Sequence, residues 1–452
     1  MKHSLYTRTI LYLVISLLPV IDIFAAPRSE KQALQIAQDF FPEIINFNSA
    51  NSRKVLSDTK ADNLSNEAFY IFNNADGQGF VIISADDRMP KILAYSYDHS
   101  FPTTDLPEHI KHYLATYDES LRLLNEGEST QEEIFPVIAT TQNTFPDKIE
   151  PLLGKIEFGQ AEPYNYYTPY DNRSKCPSGC VATAMAQIMK YYEYPAVGTG
   201  SFSVQGTNYD LSKRPFKWDL ILDSYKGVSA TEEQKEAVGN LLIACGAAVG
   251  MSYKASGSSS GGQDMFNAMK NNFDYNCDKL VSVSNGEQQN WYFDWIRNMV
   301  KQIANKQPIY FDGGSGMVAG HAFVIDGYEI LKPWDDNDAR SWGNIEVEDV
   351  YFHVNWGWDG YSNGFYYLNS LKPRDTSNID APEAKYDFSS FQNSWTSNLR
   401  PKIWTALEDA QLTRQIVNSN DNIYDILGQK VNPNNLQTNT IYIQNGQKFI
   451  LR

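Results

Sequence analysis

A tight turn runs directly into an apolar segment in Cys176-Pro-Ser-Gly-Cys180-Val-Ala-Thr-Ala-Met-Ala-Gln-Ile-Met-Lys190. The apolar side chains recur every three or four residues, which predicts a helix that begins at Cys180 and ends before Tyr194-Pro195. Exposed N–H groups and the dipole at a helix N-terminus favour a negative charge, so we expect the Cys180 thiol to lose its proton easily. The segment therefore predicts a nucleophilic cysteine.

A nucleophilic cysteine needs a base, and two of the six histidines, His321 and His353, follow Cys180 in the chain. His321 begins an apolar run that is typical of a strand, 141 residues after Cys180. Papain-like peptidases separate their Cys and His by roughly 130–150 residues. His321 is therefore the predicted base. His353, which lies in a buried strand pattern, is the alternative.

The size and charge of the chain limit its function class. A length of 452 residues predicts two to three domains, and an aromatic content of 13% is sufficient for a large core. The formal net charge of -16 argues against nucleic-acid binding, because phosphate contacts need clustered Lys and Arg.

The N-terminus has the pattern of a secretory signal peptide over residues 1–25. Lys2 and Arg8 are basic, residues 10–24 are mostly apolar, and Ala25 is the small residue before the predicted cut. The apolar run is shorter than the ~18–20 residues that a membrane span needs. The sequence predicts an exported protein with no stable membrane span. It would be secreted or at the cell surface, with the periplasm as the alternative.

Three units follow the signal peptide. Residues 26–148 end in a polar linker, and residues 402–452 form a short β tail of two or three strands that is too small to fold robustly alone. Residues 149–401 have helices in the first half and strands in the second, which indicates an α+β domain. In the first unit, helices are predicted at 29–41 and 110–124, and strands at 68–72, 79–83 and 91–95. In the main domain, helices are predicted around Cys180 and at 231–249 and 263–271, and strands at 308–312, 321–328, 350–354 and 364–368.

The chain has four cysteines, and if Cys180 stays free at most one disulfide can form among the other three. Cys176 and Cys180 are four residues apart with no second close pair, which argues against a zinc site. The sequence predicts neither a metal nor a cofactor. The Gly/Ser-rich loop at 256–262 is either a flexible linker or a border of the catalytic cleft.

Four segments of the main domain resemble the streptopain (C10) family of cysteine peptidases. They are GQAEPYN at 159–165, CVATAMAQIMKY at 180–191, GHAFVIDG at 320–327 and HVNWGWDG at 353–360. Residues 69–73 and 79–87 resemble the inhibitory propeptide of that family. The resemblance implies a secreted cysteine endopeptidase that is made as an inactive zymogen. It also implies a papain-like catalytic domain, in which a helical half faces an antiparallel-sheet half, preceded by a small α+β propeptide domain.

The resemblance also implies the roles of individual residues. Cys180 would attack the peptide carbonyl to form a thioester, and His321 would carry the proton. Gln160 would stabilise the oxyanion, and Asn355 would orient His321, unless each has only a local structural role. Trp356 or Trp358 would stack on the imidazole, and the sequence does not rank these two.

The chain departs from the family pattern at two positions beside these motifs. Gly179 stands where the namesake of the family has His, which changes the wall of the site but leaves a backbone donor there unaffected. Phe158 stands where many members have Trp, which we expect to change packing more than chemistry.

Two other functions remain open from the sequence. The chain could be a catalytically inactive papain-like module for binding or inhibition, or a transglutaminase-like acyl transferase with the same Cys–His–Asn chemistry. The predicted partners are protein or peptide substrates and the chain's own propeptide as an intramolecular inhibitor. The tail resembles C-terminal sorting domains of exported bacterial proteins, which implies contact with a secretion machinery.

Overall fold

The computed structural model describes residues 27–41, 68–74, 77–102, 146–283, 291–313, 320–331, 350–367, 393–397 and 399–402, and parts of 106–125 and 423–451. The predicted signal peptide and residues 126–145 of the predicted linker lie outside the described residues. None of the helices that the structure describes combines the length and apolar character that crossing a bilayer requires.

The helices begin where the sequence supplies a cap or a turn. The longer helices of the described residues are α1 (Glu30–Phe40), α2 (Cys180–Tyr192), α3 (Glu232–Ala248), α4 (Gly262–Asn271) and α5 (Trp291–Ala304). Ser29 caps α1 and Thr231 caps α3, each in a reciprocal capping box with a glutamine three residues later. The described residues between 110 and 125 are also helical. The predicted helices are therefore present, whereas α5 was not predicted.

A ten-stranded antiparallel sheet forms the centre of the described structure. Its strands are β1 (Phe69–Asn73), β2 (Phe80–Ser84), β3 (Ile92–Ser96), β4 (Lys148–Ile149), β10 (Lys279–Val283), β11 (Ile309–Gly313), β12 (His321–Ile330), β13 (Val350–Asn355), β14 (Gly364–Tyr366) and β15 (Asn393–Ser397). The strand order is β1-β2-β3-β14-β13-β12-β11-β15-β10, and β4 pairs with β12 outside this path. The N-terminal unit, residues 27–125, thus shares one sheet with the main domain through β3 and β14, which the sequence did not predict.

Short two-stranded ribbons lie outside this sheet: β5 (Tyr170–Asp171) with β6 (Ser174–Lys175), β7 (Ser201–Val204) with β8 (Thr207–Asp210), and β9 (Tyr275–Asn276) with β16 (Arg400–Pro401). The tail forms a separate four-stranded sheet of β17 (Ile423–Asp425), β18 (Lys430–Val431), β19 (Thr440–Gln444) and β20 (Gln447–Leu451). The sequence predicts two or three strands in the tail, one or two fewer than the structure has.

The sheet separates two cores because alternate side chains of a strand point to opposite faces. On one face, Tyr310, Ala322 and Val324 pack against the buried sides of α2 and α3. On the other face, Phe311 and Phe323 pack with residues of α5 and of the N-terminal unit. The half of β12 that begins at His321 is therefore covered on one side by the helix that carries Cys180.

Candidate active site

Cys180 is the first residue of α2, at the end of a turn that only glycine suits. Gly179 has φ +90° and ψ 140°, and a Cβ atom there would lie 2.8 Å from the Met251 side chain and 3.1 Å from the Ser258 carbonyl oxygen. A larger side chain at position 179 would meet these atoms on a backbone that favours glycine. The Gly/Ser-rich loop packs directly on the turn, since the Ser258 hydroxyl donates to the Pro177 carbonyl at 2.8 Å.

The Cys180 sulfur lies against the first residues of β12. The backbone N–H groups of Ala322, the residue after His321, and of Val181 act on the thiol as weak donors. Burial nevertheless raises the pKa of the Cys180 thiol above its usual value, and it outweighs these donors, which lower the pKa. In the intact chain, the expected loss of the thiol proton at the helix N-terminus is therefore wrong.

The His321 ring is held by a main-chain group. Its Nε2 lies 2.9 Å from the carbonyl oxygen of Trp356. Because a carbonyl only accepts, Nε2 must carry the hydrogen, and Nδ1 of the neutral ring then carries the lone pair. Burial lowers the pKa of His321 to about 4, although the bond to Trp356 works in the opposite direction. The ring is therefore neutral at physiological pH in the intact chain.

The ring of Trp356 stacks on His321, with 6.2 Å between centroids and 25° between planes. Phe323 stacks on His321 with the same distance and angle, and its ring also packs on Trp356 at 4.9 Å. Trp358 packs, partly buried, at the margin of the same core. Trp356 is thus the tryptophan that the structure places on the imidazole, and it contributes both its ring and its carbonyl.

Asn355 does not hold His321, in contrast to the role implied by the resemblance. Its amide nitrogen donates to the Ile156 carbonyl at 2.8 Å, and its amide oxygen accepts from Gly357 N–H at 3.1 Å. Through these two bonds, the Asn355 side chain stabilises the loop that follows β13. Asn363 fixes the same loop, because its oxygen accepts from Trp356 N–H at 3.0 Å. Neither Asn363 nor a carbonyl partner for the histidine was predicted, because no local pattern marks them.

Gln160 is tied to the nucleophile turn through its main chain. It is 8% exposed, and its carbonyl accepts from Ser178 N–H at 3.0 Å, two residues before Cys180. Gln187 of α2 accepts from Phe158 N–H at 3.1 Å and so fastens the start of this segment to the nucleophile helix. Gln187 was not predicted as part of the site, although its polar side chain interrupts an apolar helix face.

His353, the alternative base, pairs with a different residue. Its Nδ1 lies 2.6 Å from the Asp326 carboxylate, and both side chains are buried. The second oxygen of Asp326 accepts from Leu153 N–H at 3.0 Å. His353 lies opposite Gly327 in the sheet, six residues along β12 from His321. The structure therefore places His353 in a buried hydrogen-bonded pair with Asp326.

The N-terminal unit contacts the residue that holds His321. Tyr113, in the helical part of residues 110–125, packs edge-on against Trp356 at 5.3 Å, and its hydroxyl donates to the Tyr367 carbonyl at 3.3 Å. The N-terminal unit therefore packs directly on the tryptophan that stacks on His321.

All four cysteines are free thiols. Cys176 and Cys245 are fully buried, and burial raises the pKa of both. Cys277 is also buried, whereas Cys180 is partly exposed. A reagent in solution therefore reaches Cys180 more readily than the other three thiols.

Comparison with known proteins covers both units. The peptidase C10 family model matches residues 158–366, and the model described as the Spi protease inhibitor matches residues 25–121. Streptopain of Streptococcus pyogenes serotype M1 is 32% identical over 334 residues, which cover 69% of this chain and 76% of streptopain.

Two further relatives belong to other bacteria. The thiol protease/hemagglutinin PrtT of Porphyromonas gingivalis is 28% identical over 82% of this chain and 42% of its own length. A structure of a mutant fragment of Prevotella intermedia prointerpain A superposes with a TM-score of 0.56 at 26% identity, covering 73% of this chain and 94% of that fragment. With a cysteine on a helix N-terminus, a histidine on the facing strand and an inhibitor domain in front, this chain belongs to the peptidase C10 family of cysteine endopeptidases.

Proposed function

We propose that Cys180 is the nucleophile and His321 the base of peptide-bond hydrolysis. The sulfur attacks the substrate carbonyl while Nδ1 of His321 takes the thiol proton and later gives it to the leaving amine. Water then attacks the thioester, with Nδ1 again receiving a proton, and releases the acid and the free thiol. The carbonyl of Trp356 accepts from Nε2–H throughout the reaction. The ring therefore keeps the tautomer in which Nδ1 is free to take and give the proton.

The negative charge of the tetrahedral intermediate needs donors. The backbone N–H of Cys180 and the side-chain amide of Gln160 fill this role in the proposal, and one such donor contributes ~3 kcal/mol to transition-state stabilisation. Support comes from the bond between Gln160 and Ser178, which keeps Gln160 beside the nucleophile turn.

One observation carries the assignment: α2, which begins at Cys180, packs on β12, which begins at His321. The test is release of peptides from casein by the activated protein, with and without iodoacetamide. We expect Cys180→Ala and His321→Ala to abolish release, and Cys245→Ala, a change at a buried thiol of α3, to retain it. Mass spectrometry should find the alkyl group on Cys180, and casein cleavage by Cys180→Ala would contradict the assignment.

Membership in the peptidase family favours hydrolysis over an inactive module or acyl transfer. The same assay with a labelled amine separates these functions. Peptide release without incorporation of the amine supports hydrolysis, whereas incorporation without release would show acyl transfer.

Cleavage near residues 140–150 is expected from the sequence, and we propose that the cut falls before Pro146. Residues that follow are tied to the catalytic domain: Tyr328 donates to the Pro146 carbonyl at 2.9 Å, the Asp147 carbonyl accepts from Ile330 N–H at 2.8 Å, and β4 pairs with β12. The catalytic domain would then begin a few residues before the boundary at 149 that the sequence suggests. Sequencing the N-terminus of the activated enzyme tests this, and full activity in uncut chain would contradict activation by cleavage.

We propose that residues 1–25 direct export and that residues 402–452 act in sorting. The support is the basic and apolar pattern of the N-terminus and the small separate sheet of the tail. Mass spectrometry of the protein recovered outside the cell should show loss of residues 1–25. Recovery of the uncut N-terminus inside the cell would contradict export.

A further inference from the structure

The outer edge of β14 is covered by a strand that activation removes. Phe365 pairs with Tyr95 and Tyr366 with Ala94, and Tyr367 N–H donates to the Leu93 carbonyl at 2.9 Å. β14 lies in the catalytic domain, whereas β3 lies in the inhibitor domain. Loss of the propeptide therefore leaves an open sheet edge, and open edges accept extended segments of other chains.

The surface beside this edge is shaped for a tyrosine. The ring of Tyr95 stacks on Phe365 at 5.2 Å and 14°, and it packs at 5.6 Å from Tyr351. Its hydroxyl donates to Glu329 at 3.0 Å. Tyr351 in turn donates to the Ile92 carbonyl at 2.8 Å, so the catalytic domain contacts the backbone and side chain of the seated strand.

A second tyrosine, two residues further along, uses the same carboxylate. The Tyr97 hydroxyl donates to Glu329 at 3.2 Å, and its ring lies 4.4 Å from the ammonium group of Lys148. Lys148 also forms an ion pair with Glu329 at 3.4 Å. Hydrogen bonds to an ionised carboxylate are stronger than those between neutral groups, so Glu329 selects for hydroxyl groups at alternate positions.

We propose that the mature enzyme uses this surface as an exosite for substrates. The exosite consists of the β14 edge with Glu329, Lys148, Tyr351 and Phe365, and it binds an extended segment with tyrosines at alternate positions by strand addition. This inference rests on the proposed activation by loss of the propeptide. A second copy of the chain is a poorer occupant, because its β14 would offer Phe365, which has no hydroxyl for Glu329, at one of the two alternate positions.

The exosite is distant from the chemistry. Glu329 follows His321 by eight residues along β12, a separation of roughly 26 Å at about 3.3 Å per residue. A substrate must therefore be long enough to occupy both places, and the exosite raises kcat/KM for long polypeptides without acting on short ones.

The test compares two long fluorogenic peptides that share a cleavable sequence and a flexible linker. One ends in the segment Ile-Leu-Ala-Tyr-Ser-Tyr found at residues 92–97, and the other has alanine in place of both tyrosines. With enzyme activated from the full chain, we expect kcat/KM to be at least about tenfold higher for the tyrosine peptide, which corresponds to 1.4 kcal/mol of added binding. Glu329→Gln should bring the ratio of the two values close to one. Glu233→Gln, at an exposed residue in the first turn of α3, should leave the ratio unchanged.

A second measurement needs no variant. The free hexapeptide of residues 92–97 should inhibit cleavage of the long tyrosine peptide by wild-type enzyme and leave hydrolysis of a short peptide unchanged. Equal kcat/KM for the two long peptides, or a preference that persists in Glu329→Gln, would overturn the exosite. If the enzyme forms concentration-dependent dimers and shows no preference between the two long peptides, the exosite proposal is also wrong. The β14 edge would then bind a second copy of the chain. Failure to hydrolyse even the short peptide would instead count against the proposed function.

Discussion

The Nε2 atom of His99 lies 2.5 Å from the Glu157 carboxylate, and this contact joins the inhibitor domain to the catalytic domain. Nδ1 of the same ring lies 2.7 Å from Asp98. Glu157 comes three residues before Gln160, so the contact lies close to the segment assigned to the oxyanion. Burial opposes protonation of His99, but the two carboxylates outweigh it and raise its pKa to about 9.

The first prediction concerns pH. The pKa of His99 is higher in the folded chain than its ordinary value of 6.5, so the folded chain binds the proton more tightly. The stabilisation is complete below pH 6.5 and is lost as the pH rises through about 9. It amounts to at most about 3 kcal/mol, from 1.36 kcal/mol per pKa unit.

Urea unfolding of the uncut Cys180→Ala chain at pH 7 and pH 10 measures this effect. We expect the free energy of unfolding to fall over this range. In His99→Gln it should be lower already at pH 7 and change less with pH. An identical pH slope in both proteins would show that His99 does not join the two domains in solution.

The second prediction separates support of a loop from orientation of a base. Asn355→Ala leaves the Ile156 carbonyl and the Gly357 N–H buried without their partner, which should lower the free energy of unfolding by about 1–3 kcal/mol. Asn355→Asp keeps the acceptor for Gly357 and serves as the matched variant. The pH dependence of kcat/KM should keep its shape in both, since neither touches His321. A shifted acidic limb in Asn355→Ala would restore the orienting role.

The third prediction concerns the buried pair of His353 and Asp326. Either His353→Ala or Asp326→Ala leaves one buried polar group without its partner, which costs about 3 kcal/mol of stability. Activity per folded molecule should persist at low temperature, as measured by active-site titration together with circular dichroism. A folded His353→Ala protein with no activity would identify His353, and not His321, as the base.

The fourth prediction concerns the turn before the nucleophile. Gly179→Ala places a side chain at φ +90°, which costs about 1–3 kcal/mol, and against Met251. We expect a lower melting temperature and slower alkylation of Cys180. Adding Met251→Ala should recover part of the loss by removing the close contact, while the backbone strain remains. No recovery in the double variant would mean that the contact with Met251 carries no cost.

The sequence predicted the elements whose signals are local. Helical spacing located α2, and alternation with turn residues located β1 and β2, because propensity and periodicity act within a few residues. It missed α5, although Ile296, Met299, Val300 and Ile303 have helical spacing and are buried in the structure. It also missed the pairing of β3 with β14, since strand partners distant in the chain leave no mark on local sequence.

The sequence by itself marked the side chains that we propose for the chemistry, a cysteine after a turn at a helix start and a histidine at a strand start, because these depend on residue type and spacing. The tertiary structure decided the rest. It gave His321 a main-chain carbonyl as its partner in place of Asn355, and every residue has such a carbonyl, so sequence cannot mark it. It also decided protonation, because burial, which only packing creates, keeps the Cys180 thiol and the His321 ring neutral in the intact chain.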